Sequence, residues 1–274
     1  SSNSIDLSQL AMFRKRITCP IFDEIAFSCK IKFESIYNSD LIFFDGIFKE
    51  EKFKNCHPSK HVNKIPGLWH IMMKKNFFSS LIKMQNKYTK IFNDFIPITY
   101  FLPEDIDKYN QQIEGTKYLL RYDKCYERKE KLYSENENLS KDIPDSIIQP
   151  FIQPFLINDR KFHIRIYLMI ANIDPLTLYI YEDGEAFFCI EPYSTPTQEN
   201  KNAYLFQKDF PPNLDFEPIV PLSSIIKYIS KYEDEFWSKI KKIAQLSIIS
   251  IHEEIMKTVK KACKINDNDF DLDD

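Results

Sequence analysis

Apolar and polar positions repeat with two different periods along this chain, and the change of period marks its elements. Between Phe13 and Phe53, short apolar runs (Ile21 to Phe27, Ile31 to Ile36, Leu41 to Phe48) alternate with polar turns and predict a small α/β subdomain. After a basic, histidine-containing loop at Lys52 to Lys64, the segment Trp69 to Phe92 carries Met72, Phe77, Leu81, Met84, Tyr88 and Phe92 close to helical spacing. Phe95 to Leu102 reads as a short strand, with Pro103, Glu104 and Asp105 opening a helix. The stretch Tyr126 to Asp145 is charged and aperiodic, and is expected to be a solvated loop or poor helix that divides the chain. Beyond it, Ile147 to Ile152, Phe162 to Ile173 and Leu176 to Tyr181 predict strands. Asp183-Gly184 predicts the turn of a hairpin whose second arm is Ala186 to Ile190. A Pro- and Asn-rich connector, Ser194 to Pro221, precedes a helix expected over Leu222 to Ala262, striped by Phe236, Ile240, Ile243, Ile248, Ile251, Ile255 and Val259.

Composition narrows the function more than the fold. The 274 residues contain four glycines where average usage would give roughly 19. Gly46, Gly67, Gly115 and Gly184 stand far apart, so no G-x-G-x-x-G turn, Walker A loop or kinase glycine loop can be written. A coding bias toward Lys, Asn, Ile and Phe competes as the cause of the deficit. The net charge of -3 lacks the basic excess of a dedicated nucleic-acid binder. No run of 18 apolar residues suggests a membrane span. With no initiator Met and no signal-peptide pattern, the chain reads as a segment of an intracellular protein. Cysteines at 19, 29, 56, 125, 189 and 263 show no C-x-x-C spacing and are expected to be reduced.

Candidate chemistry concentrates on one predicted strand. Lys161, His163 and Arg165 share a face because side chains alternate along a strand. Two cations and an imidazole on a face covered by neighbours need an anion to meet them, which suggests a phosphate site; a solvated edge strand explains the spacing equally well. Upstream, Gln149 and Pro154 belong to a segment whose backbone could meet an adenine edge. Asp267, Asp269, Asp271, Asp273 and Asp274 offer carboxylates to Mg²⁺, though composition favours an acidic tail. Cys56, His57, His61 and His70 are metal-ligating types without a zinc spacing.

The motifs resemble, in order, those of the tubulin tyrosine ligase and ligase-like proteins, which are ATP-grasp ligases. Val62 to Gly67 (VNKIPG) resembles a V/I-N-K/R-x-P-G/N segment, and Phe95 to Asp105 (FIPITYFLPED) resembles F-x-P-x-T-Y-x-L-P. Residues 149 to 184 are similar to Q-K-Y-I-x-x-P-L-L-I, R-K-F-D-x-R-x-Y-V and P-L-x-x-Y-x-Y-x-x-G. The resemblance implies an ATP-grasp-like α+β fold with the small N-terminal subdomain at 1–60, a central subdomain at 61–125, the charged loop at 126–146 and a C-terminal subdomain at 147–274. It further implies Mg²⁺-ATP as cofactor and tubulin tails as substrate. Lys161 and Arg121 would contact nucleotide, Arg165 the γ-phosphate or acyl-phosphate, and Asp269 a Mg²⁺ ion.

Departures from the family pattern fall on chemistry rather than on packing. Asp123 to Lys131 has no glycine where a phosphate-covering loop is expected, and His163 replaces an aspartate. Phe187 replaces a substrate-orienting arginine, and Tyr204 to Gln207 (YLFQ) replaces H-L-T-N. The family's L-x-E-x-N segment, which completes the Mg²⁺ site, would follow Asp274. Phosphate and metal contacts are each worth about 2 to 4 kcal/mol in a transition state, so losing several predicts a pseudoenzyme that needs no cofactor and binds no ATP. The expectation is a structural or scaffolding protein on tubulin or the microtubule lattice, in the cytoplasm or in a cilium or flagellum. Other microtubule-associated proteins are candidate partners; nucleic acid and membrane are not. The alternative is an active ligase adding Tyr, Glu or Gly to tubulin.

Overall fold

The computed structural model describes residues 11–15, 20–35, 38–44, 61–92, 95–111, 116–123, 130–134, 137–207 and 210–263. These fall into two compact units: residues up to Met72 together with those from His252 on, and Met73–Ile251. Among the described residues no helix is long and apolar enough to cross a membrane.

The first unit holds a parallel sheet in the order β2-β1-β3-β4, built from β1 (Ala11–Lys15), β2 (Lys32–Phe33), β3 (Leu41–Phe44) and β4 (His61–Val62). Helix α1 (Pro20–Ser28) provides the crossover from β1 to β2, as parallel pairing requires. Met12, Ala26 and Ile42 are buried. Helix α2 (Leu68–Ile71) starts at Gly67, whose φ of 67° is left-handed backbone open to glycine at little steric cost.

Two antiparallel sheets organise the second unit. One has the order β5-β8-β6-β7, from β5 (Tyr100–Leu102), β6 (Tyr118–Tyr122), β7 (Glu130–Tyr133) and β8 (Ser146–Pro150). Its inner face packs Tyr100, Leu102, Tyr118, Leu120 and Ile148 with Ile106 and Tyr109 of α5 (Ile106–Gln111). Leu119, Arg121 and Gln149 alternate out of that layer, and so face the other side. The stretch expected as a solvated loop therefore contributes β7, with Leu132 and Tyr133 buried, and the sheet crosses the boundary expected at 146. Short length hid this strand: four residues flanked by charge carry too few alternations to register as a period.

The other sheet has the order β12-β11-β10-β9, from β9 (Leu156–Ile157), β10 (Arg160–Ile173), β11 (Leu176–Phe188) and β12 (Ile219–Pro221). Asn158 and Asp159, both at positive φ, turn β9 into β10, the backbone that a two-residue hairpin needs. Phe162, Ile164 and Ile166 of β10 pack inward on a core with Phe188, Leu222, Phe236 and Trp237. The hairpin expected at Asp183-Gly184 is absent: β10 turns into β11 at Asp174-Pro175, and β11 continues through Gly184. Tyr181, Glu182 and Asp183 instead form a bulge opposite Tyr167, between the pairs Ile166–Gly184 and Leu168–Ile180.

The helix expected over 222–262 begins later. A 3-10 turn at Leu222–Ser224 and α6 (Ile226–Ile229) end at extended Ser230, and α7 runs Glu233–Cys263. Glu233, Asp234 and Glu235 occupy the first turn of α7, and Lys260 and Lys261 the last, complementing the helix dipole. Ile243 of the expected stripe is exposed, while Leu246 packs with Leu81 and Phe92 of α3 (Lys74–Lys87) and α4 (Thr89–Phe92).

Candidate functional site

Three of the expected nucleotide residues converge. Arg121 of β6, Gln149 of β8 and Lys161 of β10 line one cavity of about 390 Å³, walled also by Leu119, Phe151 and Phe155. A larger cavity of about 580 Å³ lies against the first turns of α7, but it holds none of the candidate residues, and its Lys241 is paired with Glu182. Chemistry therefore favours the smaller one.

A polar row crosses the sheet beneath that cavity. Arg121 donates from Nε to Glu130 Oε1 at 2.9 Å and from Nη1 to Gln149 Oε1 at 2.7 Å. Gln149, 4% exposed, donates in turn from Nε2 to Thr99 Oγ1 at 2.8 Å, and Thr99 donates to the Pro97 carbonyl at 2.9 Å. Both ends of the Gln149 amide are engaged, so its side chain orients Arg121. The end of β6 is fixed from below: Lys74 Nζ donates to the Tyr122 carbonyl at 3.0 Å, and the Lys75 backbone N–H to Asp123 Oδ1 at 3.2 Å. The Lys75 ammonium joins the Leu102 carbonyl, Glu104 and Asp145. Burial works against that charge, yet the hydrogen bonds to Asp145 and Glu104 raise its pKa.

Lys161 faces this row. Its Nζ donates to the Tyr204 carbonyl at 2.7 Å and lies 5.3 Å from the Phe151 ring centroid. Burial holds the ammonium below the ordinary lysine range, and the Arg121 charge pushes the same way; Cys189 and Glu130 oppose both. Because burial pushes the Cys189 thiol up to about 11, that group is neutral at neutral pH and the effective counter-charge is Glu130. An ammonium held in so dry a place, with donor capacity beyond its one hydrogen bond among the described residues, suits an anion.

Farther along the same face the chemistry changes. His163 stacks on Phe187 with centroids 4.9 Å apart and planes 5° from parallel. Phe206 meets both rings edge-on at 5.2 and 5.0 Å, and Phe210 meets Phe206 at 5.6 Å. The Arg165 guanidinium lies 4.5 Å over the Phe187 ring and pairs with Glu185 at 3.2 Å; Glu185 also accepts from the Tyr167 hydroxyl at 2.7 Å. The shared face of Lys161, His163 and Arg165 is thus present, but Lys161 lies in the cavity wall while the other two belong to an aromatic and ion-pair cluster. Asp269 lies outside the described residues, as do Cys56, His57 and most of the segment expected to cover phosphate. His61 and His70 are exposed, and no group of three metal-ligating side chains occurs among the described residues. The donor set fits the nucleotide part of Mg²⁺-ATP, and supplies no metal centre within the described residues.

Sequence reasoning missed Glu130 and Tyr204 as partners of Arg121 and Lys161. The alternation Glu130-Leu132 was the available signal for the first; a backbone carbonyl, which any residue could supply, leaves none for the second.

The sequence profile of the tubulin-tyrosine ligase family matches residues 53–272. The chain belongs to that family. It is 30% identical over 163 residues to mouse tubulin polyglutamylase TTLL11, covering 52% of this chain and 22% of the relative. It is 28% identical over 229 residues to human tubulin polyglutamylase TTLL13, covering 77% and 28%, and 24% identical over 238 residues to a probable beta-tubulin polyglutamylase of Tetrahymena thermophila, covering 77% and 20%. The chain thus spans under a third of the length of these relatives. Among solved structures, the C-terminal domain of K. lactis Pby1, an ATP-grasp enzyme interacting with the mRNA decapping enzyme Dcp2, superposes with a TM-score of 0.56 at 14% identity, covering 88% of this chain and 75% of that one. The fold is ATP-grasp-like, and the reaction type of the family is ligation.

Proposed function

We propose that this chain is a tubulin-directed member of its family in which a nucleotide cavity persists beside a rebuilt transfer face. It binds tubulin or the microtubule lattice as a structural or scaffolding component of the cytoplasmic or ciliary cytoskeleton, and does not transfer amino acids. The observation that carries this reading is the His163–Phe187–Phe206 cluster. It fills with rings a strand face where the family resemblance implies an aspartate and an arginine. A transition state gaining negative charge there meets apolar rings and an Arg165 already paired with Glu185.

Contrary to the expectation of no ATP binding, nucleotide binding is kept, which the shared cavity of Arg121, Gln149 and Lys161 supports. Arg121 and Lys161 would hold the phosphates, with Gln149 and Glu130 orienting Arg121; ATP, when bound, supplies the phosphoryl group that activates a carboxylate. A thermal shift with Mg²⁺-ATP, reduced by Lys161→Ala, is the expected result. The full chain should also co-sediment with microtubules while incorporating no labelled Glu, Tyr or Gly above background. Failure to co-sediment, or incorporation dependent on ATP, would overturn the proposal. Incorporation would establish the second reading, an active tubulin–amino-acid ligase, which the convergence of Arg121, Gln149 and Lys161 favours.

A further inference from the structure

A cavity of about 350 Å³ opens beside the core under the β10–β12 sheet and shares no lining residue with the nucleotide cavity. Its volume is that of a small-molecule site. Ile157 and Phe188, 7% and 8% exposed, give it an apolar floor. Its rim carries both signs of charge. The Arg160 guanidinium lies 4.1 Å over the Phe216 ring, and its Nη1 donates to the carbonyls of Cys189 and Ile190. The Nε and Nη2 donors of Arg160 have no acceptor among the described residues. Asp215 and Glu217 flank Phe216, both exposed, and neither makes an ion pair or hydrogen bond among the described residues.

A cation and two anions that line one cavity without pairing leave a place for a ligand carrying both charges. A purely cationic ligand would leave Arg160 unanswered, and a purely anionic one would meet the two carboxylates. We infer that this cavity binds a free α-amino acid with an apolar side chain. The ligand's carboxylate meets the planar fork of Arg160, its ammonium meets Asp215 and Glu217, and its side chain rests on Ile157 and Phe188. The site involves neither Lys161 nor Arg165, so it stands whether or not the protein transfers amino acids.

Calorimetric titration of the full chain with L-leucine, 3-methylbutylamine and 4-methylpentanoate separates the two charges. Leucine should bind, with each one-charge analogue weaker by about tenfold, the loss expected for one charge-assisted hydrogen bond. The double variant Asp215→Asn, Glu217→Gln should weaken leucine by a similar factor, and Arg165→Ala should leave it unchanged. No leucine binding up to about 10 mM, weaker than ordinary specific recognition, would overturn the inference. So would an analogue that binds as tightly as leucine, or loss of leucine binding in Arg165→Ala, which would place it on the transfer face.

Discussion

At the scale of single residues, the nucleotide cavity is governed by a carboxylate that competes with its ligand. Glu130 answers Arg121 at 2.9 Å and, through the field, Lys161 as well, so an incoming anion must displace or tolerate it. Glu130→Gln keeps the shape and removes the charge. Calorimetry should report Mg²⁺-ATP binding tighter by about two- to fivefold, the scale of a partly exposed ion pair; equal or weaker binding would exclude the competition. Lys161 adds a pH dependence whose sign follows from burial. Its charged form is disfavoured, so it loses its proton at lower pH than an ordinary lysine, near 10.4, and anion affinity should begin to fall before that point. Lys161→Arg, protonated throughout, should abolish the early fall in a titration of ATP affinity against pH. Lys161 and Arg121 were singled out by the order of the family-like motifs, and they line one cavity. Glu130 was not, because its role depends on strand pairing and not on its own segment.

Among the elements, the β10–β11 pair decides how the face is presented. Gly184 pairs with Ile166, and a Cβ at that position would lie 2.1 Å from the Arg165 carbonyl oxygen, a backbone atom that cannot step aside. Gly184→Ala should cost about 3 kcal/mol, at the upper end for an overpacked site, measured by urea unfolding. A loss within a few tenths would show that the bulge shifts freely. The sequence reads Asp183-Gly184 as a hairpin turn because those residue types favour turns locally. The carboxylate of Asp183 is instead taken by the Ser223 backbone N–H at 2.9 Å and its hydroxyl at 3.1 Å, 40 positions away, so a long-range partner turns a turn signal into a bulge. The break at Ser230 was hidden because the apolar residues on either side of it, Ile225 and Ile226 before and Phe236 and Trp237 after, pack into one core and so read as one continuous stripe.

For the whole molecule, the family and the ligase-type fold were readable from motifs in order, while the division into units was not. Every candidate nucleotide residue in the described chain lies within Met73–Ile251, whereas Ile42, fully buried, belongs to the other unit. Ile42→Ala should therefore lower thermal stability, by about 2 to 5 kcal/mol at a core site, and leave the Kd for Mg²⁺-ATP unchanged; a parallel loss of affinity would show the units to be energetically coupled. The sequence by itself determined the alternation that puts Lys161, His163 and Arg165 on one face, because side-chain direction along a strand follows from local backbone geometry. It also determined the family, since an ordered series of short motifs survives wide divergence elsewhere. Only the tertiary structure decided what those side chains do. Pairing Arg121 with Glu130 nine positions away, Lys161 with the Tyr204 carbonyl 43 positions away and His163 with Phe187 requires strand register, and register sets which charges are buried and which are answered.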